Sequence, residues 1–394
     1  MIGSHEAVRS LDPDGAPVPF PWGQSGSASG VVRSSVRPEA NESLLWDDEQ
    51  DELRRSLPLV YSHVTVMRDE AASALAPVDG GVYLDLTLGG GGHSEAILAS
   101  CPGARVFGFD RDPAALAAAS ARLAPFGERF TAAKATFSEA AAVLAGLGIT
   151  AVDGLLADLG VSSPQIDDPQ RGMSFRTEGP LDMRMDPTSG ETAEELIARL
   201  EVDELADVIF YYGDERRSRR IARCVKQASD GGELTSTLAL RKAVVRAVGP
   251  ARIGGVDPAT RTFQALRIAV NRELDELTTL LELAPTLVKV GGILAIISFH
   301  SLEDRKVKVA TKDRAIWAPL TKKPQIPTDA ETAENPRARS AKLRAARRRG
   351  EDEDEDNHYE PWGDDRASIP ATPRPSDERE ERDGDDENDQ GYSA

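Results

Sequence analysis

The stretch Val82-Tyr83-Leu84-Asp85-Leu86-Thr87-Leu88-Gly89-Gly90-Gly91-Gly92-His93-Ser94 joins a short apolar run that ends in an acid to four consecutive glycines. We predict a strand over the apolar run and a helix that begins near His93. Glycine adopts positive φ without steric cost and lets a ligand approach the backbone closely. A glycine run between a strand and a helix therefore indicates a site for a nucleotide-shaped ligand.

The chain around this stretch alternates short apolar strands with helices. We predict strands near residues 82–86, 105–109, 130–133 and 154–159, and helices near residues 93–99, 113–123 and 138–144. Strands separated by helices imply right-handed βαβ crossovers. The pattern therefore predicts an α/β fold with a parallel, doubly wound, Rossmann-like sheet.

This alternation stops after the fourth strand. Residues 165–186 have the composition of a loop, and helical patterns dominate from there to about residue 250. The α/β pattern resumes with a predicted helix at 263–284 and a strand at 292–298. We therefore predict a domain in two parts, residues 56–165 and 263–349, interrupted by a helical insertion at residues 166–262.

The net charge of −19 is concentrated at the two ends of the chain. Residues 351–394 hold 18 acids and 4 bases, residues 1–55 hold 10 acids and 5 bases, and the centre holds 38 of each. We predict disorder over residues 1–55 and over the acidic tail, residues 350–394. No secretory signal or membrane-spanning run is recognisable, so a cytoplasmic location is expected.

Acids also follow predicted strands. A carboxylate at Asp85 would repel a pyrophosphate but accept hydrogen bonds from a ligand ammonium. Asp110 lies 19 positions after Gly91, where a carboxylate binds the ribose of an adenosine-containing ligand, although it could instead serve the following helix. Phe137, just after the third strand, is either an apolar face beside an adenine or ordinary core.

These acids favour S-adenosylmethionine (SAM) as the ligand. Glycine loops occur both in dinucleotide dehydrogenases and in SAM-dependent methyltransferases, so the loop alone does not separate the two classes. SAM carries an ammonium and a sulfonium and no phosphate. A site surrounded by Asp85, Asp110 and Asp158 suits such a cation and disfavours a pyrophosphate.

Asp158 ends the fourth predicted strand, at the edge where doubly wound sheets bind their ligands. Methylation of an amine needs acceptors that hold the NH₂ and leave the nitrogen lone pair directed at the methyl group, and in-line geometry then supplies most of the catalysis. We predict Asp158 as the catalytic residue, with Ser162, Ser163 and Gln165 lining the pocket. The alternative is a Ser-Pro turn with a capping acid.

The chain resembles a known family, the 16S ribosomal RNA (cytosine-N4)-methyltransferases (RsmH/MraW). The resemblance extends from about residue 60 to residue 347, in family order. It rests on residues 63–66, 85–94, 109–113, 158–167, 171–175, 179–186, 212–216, 259–267, 297–305 and 335–344.

The resemblance implies a class I SAM-dependent fold, interrupted by a helical substrate-recognition domain. It also implies methylation of the N4 amine of one cytidine, position 1402, in 16S rRNA of the small ribosomal subunit. By position, the implied cofactor contacts are Gly90, Gly91, Gly92, His93, Asp110, Phe137, Asp158 and Gln165.

The chain departs from amino-methyltransferases in general at one motif. Their Asp/Asn-Pro-Pro-aromatic sequence is here Asp158-Leu159-Gly160-Val161, so the aromatic ring that stacks on the target base must come from elsewhere. Phe175 and Phe299 are the candidates, and the sequence does not choose between them.

Other polar residues have two interpretations each. His300 either contacts the base or a phosphate, or is a hydrogen-bonded histidine at a strand end. The bases between Arg337 and Arg349, including Arg339, suit phosphate contacts, although charge runs are more often plain surface. Asp182, Arg184 and Asp186 favour loop bracing or RNA contact, and no metal site is predicted.

The expected substrate is single-stranded or locally opened RNA, since unstacked bases are the easiest to reach. A DNA cytosine-N4 methyltransferase, a dehydrogenase and a non-catalytic RNA-binding assembly factor are the alternatives. The oligomeric state, monomer or homodimer, is left open by the sequence.

Overall fold

The computed structural model describes residues 64–250 and 255–350, together with residue 353. The predicted disorder of residues 1–55 and of the acidic tail concerns segments outside the described residues, apart from Gly350 and Glu353. His63, in the first family motif, also lies outside them. Within the described part, no helix is both long and apolar enough to cross a membrane.

Among the described residues, seven strands form one mixed sheet. They are β1 (Val82–Asp85), β2 (Arg105–Asp110), β3 (Phe130–Lys134), β4 (Val152–Asp158), β5 (Val288–Ser298), β6 (Trp317–Pro319) and β7 (Lys342–Arg348). Their order is β3-β2-β1-β4-β5-β7-β6. The predicted parallel arrangement is confirmed for β1 to β5, whereas β7 runs antiparallel to β5 and β6 antiparallel to β7.

This strand order creates a switch point beside β1. The chain places β2 and β3 on one side of β1 and then returns to place β4 and β5 on the other side. Doubly wound sheets bind ligands at such a point, outside the carboxyl ends of the strands. Because β1, β2 and β4 end at Asp85, Asp110 and Asp158, the three predicted acids reach this edge together.

The strand side chains alternate between two hydrophobic clusters, one on each face of the sheet. In β1, Val82 and Leu84 belong to one cluster and Tyr83 belongs to the other. The Tyr83 face is covered by α1 (Arg68–Leu75), α2 (Gly92–Ser100) and α3 (Pro113–Leu123). The opposite face is covered by α4 (Ala140–Gly146) and by helices that follow the insertion.

Between β4 and β5 the chain is mainly loop and helix. A short helix, α5 (Ser163–Asp167), and a 3-10 turn precede a long loop. The helices α6 (Ala193–Arg199), α7 (Val202–Gly213), α8 (Ser218–Asp230), α9 (Thr237–Val248) and α10 (Thr260–Asn271) then pack around a hydrophobic cluster of their own. This agrees with the predicted helical character, and the division into domains stays a prediction.

The predicted single helix over residues 263–284 is wrong, because the structure has two helices there. α10 ends at Asn271, and α11 (Glu273–Leu287) begins directly after Arg272, which has a left-handed φ of 51°. Asn271 explains the break, since its side chain accepts a hydrogen bond from the Met185 N–H and donates to the Met183 carbonyl. The helix α12 (Ser301–Ala310) follows β5, and α13 (Asp329–Glu334) precedes β7.

Candidate active site

A solvent-open cavity, with about 1100 Å³ of empty space, lies at the carboxyl edge of the sheet. Segments that follow β1, β2, β3, β4 and β5 all contribute to its wall, as the switch point requires. Eight of the predicted site residues line it: Asp110, Phe137, Asp158, Ser162, Ser163, Gln165, Phe299 and Arg337. The sequence therefore located the cavity correctly, while the roles of these residues stay predictions.

Asp158 presents an unused acceptor in the cavity wall. Its backbone N–H donates a hydrogen bond of 2.6 Å to Thr87 Oγ1, which fixes the end of β4. Its Oδ1 atom is buried and has no hydrogen-bond partner among the described residues. Its Oδ2 atom lies 4.0 Å from Nδ1 of His93. Because a buried acceptor without a partner is costly, this oxygen is suited to a ligand donor.

The pKa of Asp158 is raised well above its ordinary value. Burial is the main cause, and the negative charges of Asp85, Glu303 and Glu331 add to it. Water solvates the ionised form poorly at such a site, and like charges disfavour it further. A cationic ligand would therefore relieve an electrostatic cost that the protein alone bears.

Asp110 is the second carboxyl in the wall. Its two oxygens accept hydrogen bonds from the backbone N–H groups of Gly89, at 2.8 Å, and Asp112, at 2.9 Å. Burial raises the pKa of Asp110 to about 6, against the lowering effect of these two hydrogen bonds. The backbone bonds fix the orientation of the carboxylate and leave further lone pairs for a ligand.

The glycine loop contacts the cavity through Gly89, not through the next three glycines. Gly91 has a φ of +79°, and a Cβ there would lie 3.0 Å from the Leu123 side chain. A Cβ on Gly92 would lie only 1.9 Å from Thr65 Oγ1. The turn and the packing thus require glycine at positions 91 and 92. Gly90, Gly91 and Gly92 do not line the cavity, and the cofactor contacts that the resemblance implies for them stay predictions.

Asp85 and His93 lie behind the glycine loop and not in the wall. Asp85 is fully buried and accepts hydrogen bonds from Ser94 Oγ, at 2.7 Å, and from the Thr87 N–H, at 3.2 Å. Burial raises its pKa to about 6. We expected this acid to bind a ligand ammonium directly or through water. In the structure it fixes the start of α2 and does not line the cavity, so its contact with a cofactor stays a prediction. His93 Nε2 lies 3.0 Å from the Val66 carbonyl oxygen.

Two residues that the sequence analysis missed organise the wall beside Gln165. Asp112 caps α3 by accepting from the Ala114 N–H, and its Oδ2 also accepts 2.8 Å hydrogen bonds from Gln165 Nε2 and Arg171 Nη1. Arg171 donates further to the carbonyls of Arg184 and Met185. The sequence offered two signals: an acid before Pro113, which predicts a helix cap, and the position of both residues in family motifs, residues 109–113 and 171–175, for which no role was predicted.

Gln165 is held on both sides. Its Oε1 accepts from the Ser162 N–H at 3.0 Å, and its own N–H donates to Ser162 Oγ, which forms a capping box at the start of α5. Because the amide group also binds Asp112, Gln165 is a rigid part of the wall. Its predicted contact with a cofactor would have to use its remaining hydrogen-bonding capacity.

The structure separates the two aromatic candidates for base stacking. Phe299 lines the cavity, and its ring lies against Gly160, where an added Cβ would approach it to 3.4 Å. Phe175 does not line the cavity. Its ring packs edge-on against Phe263, at a centroid distance of 5.0 Å, beside the helical cluster. Phe299 is therefore the candidate that geometry favours, and Phe175 is explained by packing.

His300 takes the structural alternative offered by the sequence. It caps α12, with its Nδ1 accepting from the Glu303 N–H, and its Nε2 lies 3.1 Å from Glu303 Oε1. Glu303 also accepts from the Phe299 N–H at 2.8 Å. Burial opposes ionisation of Glu303, yet the contacts with His300 and the backbone hold its pKa below the usual value.

Glu273, His300 and Glu303 are grouped closely enough to hold a metal ion, with ligand atoms within 4.8 Å of one another. Glu273, however, already forms a two-pronged ion pair with Arg267, at 2.7 and 2.8 Å. An ion would have to compete with this guanidinium for the same carboxylate. The group therefore gives no reason to change the prediction that the protein has no metal site.

The basic run between Arg337 and Arg349 is largely engaged within the fold. Lys342 and Arg344 pair with Asp304, and Arg348 donates to backbone carbonyls. The reason is that residues 342–348 form β7, which the sequence analysis did not predict.

Arg337 and Arg339 precede β7 in the chain. Arg337 lines the cavity and pairs with Asp167, and exposed Arg339 has no side-chain partner among the described residues. The bases of β7 are therefore engaged within the fold, and the predicted RNA contacts of Arg337 and Arg339 stay predictions.

The loop acids brace the insertion, as one of the two interpretations predicted. Asp182 pairs with Arg184, and Asp186 pairs with Lys134 at the end of β3.

Comparison with known proteins gives consistent matches. A family model described as the MraW methylase family matches residues 60–349. A protein of Sorangium cellulosum named Ribosomal RNA small subunit methyltransferase H is 66% identical over 293 residues, covering 74% of this chain and 93% of that protein. Proteins of the same name from Prochlorococcus marinus and Anaeromyxobacter are each 50% identical, covering 73% and 72% of this chain and 93% and 97% of their own length. The family match spans every strand of the sheet, the cavity and the helical segment.

Proposed function

The chain belongs to the MraW methylase family, and from this premise we propose that it methylates the N4 amine of one cytidine, position 1402, in 16S rRNA of the small ribosomal subunit. Membership makes the chain a SAM-dependent rRNA methyltransferase with a class I fold. We propose three things beyond membership: the identity of the cytidine, its N4 amine as the methylated atom, and the roles of the residues in the cavity wall.

The cavity fits SAM by the chemistry of its wall. The Asp110 carboxylate is oriented to accept from ribose hydroxyls, and Phe137 offers an apolar surface for the adenine. The raised pKa values of Asp110 and Asp158 identify a site where positive charge is favoured. When bound, SAM supplies an electrophilic methyl group.

The observation that supports the proposal most is the unpartnered Oδ1 atom of Asp158 in the wall of a cavity that also presents Phe299. An acceptor and an aromatic ring at one site match the amine and the ring face of cytosine. Phe299 would stack on the base, and Asp158 would accept a hydrogen bond from one N4–H. The nitrogen lone pair would then stay free and directed in line at the methyl group that a bound SAM would supply.

Asp158 is also placed to receive the proton. After methyl transfer the N4 nitrogen carries a positive charge and loses one proton. A carboxylate that is buried and surrounded by like charges binds a proton more strongly than one in water. Asp158 can therefore accept this proton and release it to solvent through the open side of the cavity.

The test is methyl transfer from labelled SAM to small-subunit rRNA by the full chain. Asp158→Ala should lower kcat by roughly 100-fold or more, because a preorganised polar contact at the reacting group is lost. Asp153→Ala is the matched control, since Asp153 lies on the same strand but is bonded to Val82 and Lys289, away from the cavity. Label that resists RNase but not DNase would contradict the proposal in favour of a DNA substrate. Full activity of Asp158→Ala would contradict the catalytic role.

A further inference from the structure

The helix α8 has an unusual distribution of charge. Its apolar residues Ile221, Ala222 and Val225 are buried in the helical cluster. The opposite side is exposed and carries Arg219, Arg220 and Arg223, preceded by Arg216 and Arg217 in the turn before the helix. Successive residues of a helix are 100° apart, so Arg219, Arg223 and Arg220 fall within a single arc of about 100°.

This arginine face is not neutralised within the fold. The side chains of Arg216, Arg220 and Arg223 have no ion-pair or hydrogen-bond partner among residues 64–250, 255–350 and 353. Arg219 only approaches Asp207, at 3.9 Å. The contrast with β7 is direct, because most bases of β7 are held by Asp304, Glu353 or backbone carbonyls.

Helix stability does not explain the face either. The positive end of a helix dipole is its N-terminus, so bases there cost stability and acids there add to it. The neighbouring helices α6 and α7 follow this rule, with two acids each in the first turn. In α8 the arginines lie in the first two turns, the first turn holds no acid, and the last turn holds no base. The charges therefore oppose the dipole, which indicates that they serve an external anion.

An exposed aromatic ring lies on the neighbouring helix. Phe210 is 42% exposed on α7, the helix that packs against α8. It is three residues after Asp207, the residue that Arg219 approaches, so it lies one helical turn further along the same side of α7. Guanidinium groups bind phosphates in a two-pronged geometry, and an exposed ring offers a stacking surface for a base. An RNA strand fits a basic surface with an exposed aromatic ring better than an acidic protein does. The phosphates use the charge and a base uses the ring, whereas an acidic protein would use only the charge.

We propose that the arginine face of α8, formed by Arg216, Arg219, Arg220 and Arg223, binds the phosphate backbone of the RNA substrate, with Phe210 stacking on an unpaired base beside it. This inference rests on the proposed function, because it assumes that the substrate is RNA. It adds a second contact surface, on the helical segment, to the cavity that holds the reacting base. The face contributes to substrate affinity and not to the chemical step.

The experiment compares two double variants of the full chain. Arg220→Gln with Arg223→Gln removes two unpartnered charges from α8. Arg105→Gln with Lys289→Gln removes the same charge from the amino ends of β2 and β5, at the sheet edge opposite the cavity. Both pairs are at the surface, so thermal unfolding should confirm that each variant is folded.

The α8 variant should raise KM for small-subunit rRNA roughly tenfold at physiological salt, with kcat and the Kd for SAM unchanged. The slope of log Kd for RNA against log salt should become shallower by about 1.4, which corresponds to two phosphate contacts with a single strand. The control variant should change neither KM nor the salt slope appreciably. Phe210→Ala should weaken the binding of single-stranded RNA more than the binding of duplex RNA.

An unchanged KM in the α8 variant would overturn the inference. An acidic protein would then be the better candidate partner for the arginine face of α8. An equal effect in the control variant would also overturn it, because the loss would then follow from net charge alone. Failure of the proposed function looks different. In that case the wild-type chain itself would transfer no methyl group to rRNA, before any variant is compared.

Discussion

Replacing Asp112 with alanine removes three contacts at once. Its carboxylate caps α3 through the Ala114 N–H, holds the amide of Gln165 and pairs with the guanidinium of Arg171. The side chain of Asp112 is 3% exposed and that of Arg171 is 14% exposed, so water replaces these contacts poorly. The substitution therefore tests whether one acid joins the sheet, the cavity wall and the insertion loop.

The expected cost follows from these contacts. Loss of the helix cap contributes about 1 kcal/mol. Leaving a buried charged partner uncompensated costs roughly 3 kcal/mol, at the low end of its range because Arg171 keeps the carbonyls of Arg184 and Met185. The sum of about 4 kcal/mol is a large part of the roughly 5–15 kcal/mol by which proteins of this kind are stable.

The assay is urea unfolding of the wild type, Asp112→Ala, Arg171→Ala and the double variant. The free energy of unfolding should fall by about 4 kcal/mol in Asp112→Ala, and the cycle should show a coupling of about 2 kcal/mol between the two residues. Asp69→Ala is the control, since that side chain is 79% exposed and should change stability by less than about 0.5 kcal/mol. A loss below about 1 kcal/mol in Asp112→Ala, or additive effects in the cycle, would refute the reasoning.

Two further predictions concern ligand binding. The pKa of Asp110 is about 6, and a cationic ligand favours its ionised form, so SAM affinity measured by calorimetry should weaken as pH falls through 6 and level off above it. Asp110→Asn should remove that component of the pH dependence, and an unaltered profile would contradict it. The same raised pKa predicts that this group makes the unliganded protein less stable as pH rises from about 4 to 6, because the folded state holds its proton longer than the unfolded state. Phe299→Leu should raise KM for rRNA by roughly 5- to 30-fold, from the loss of about 1–2 kcal/mol of stacking, with little change in SAM binding. Phe175→Leu is the comparison, and equal effects of the two variants would contradict the stacking role.

The sequence located the cavity because strand ends are local features. Asp110 and Asp158 each follow a short apolar run, and parallel strands bring their carboxyl ends to one edge. Which glycines of the loop line the cavity was harder to predict from the sequence. That depends on packing against Thr65 and Leu123, which are distant in the chain, and on the burial of Asp85 behind the loop.

Long-range contacts explain the remaining differences. β7 was hidden by its bases, because Lys342 and Arg344 are neutralised by Asp304 on α12, 38 and 40 residues away. The break at Arg272 follows from hydrogen bonds between Asn271 and the loop carrying Met185, which helical periodicity does not report. The sequence analysis did not single out the arginine face of α8, because only the structure shows that Arg216, Arg220 and Arg223 have no partner among the residues it describes.

Mass mapping of 16S rRNA tests the proposed methylation of the N4 amine of cytidine 1402 and the proposed role of Asp158 at that amine. The rRNA would be taken from cells that lack this chain and from the same cells supplied with the wild type or with Asp158→Ala. We predict one additional methyl group on that cytidine, at N4, with the wild type and none with Asp158→Ala. An unmodified cytidine in the presence of the wild type, or full modification with Asp158→Ala, would contradict the claim.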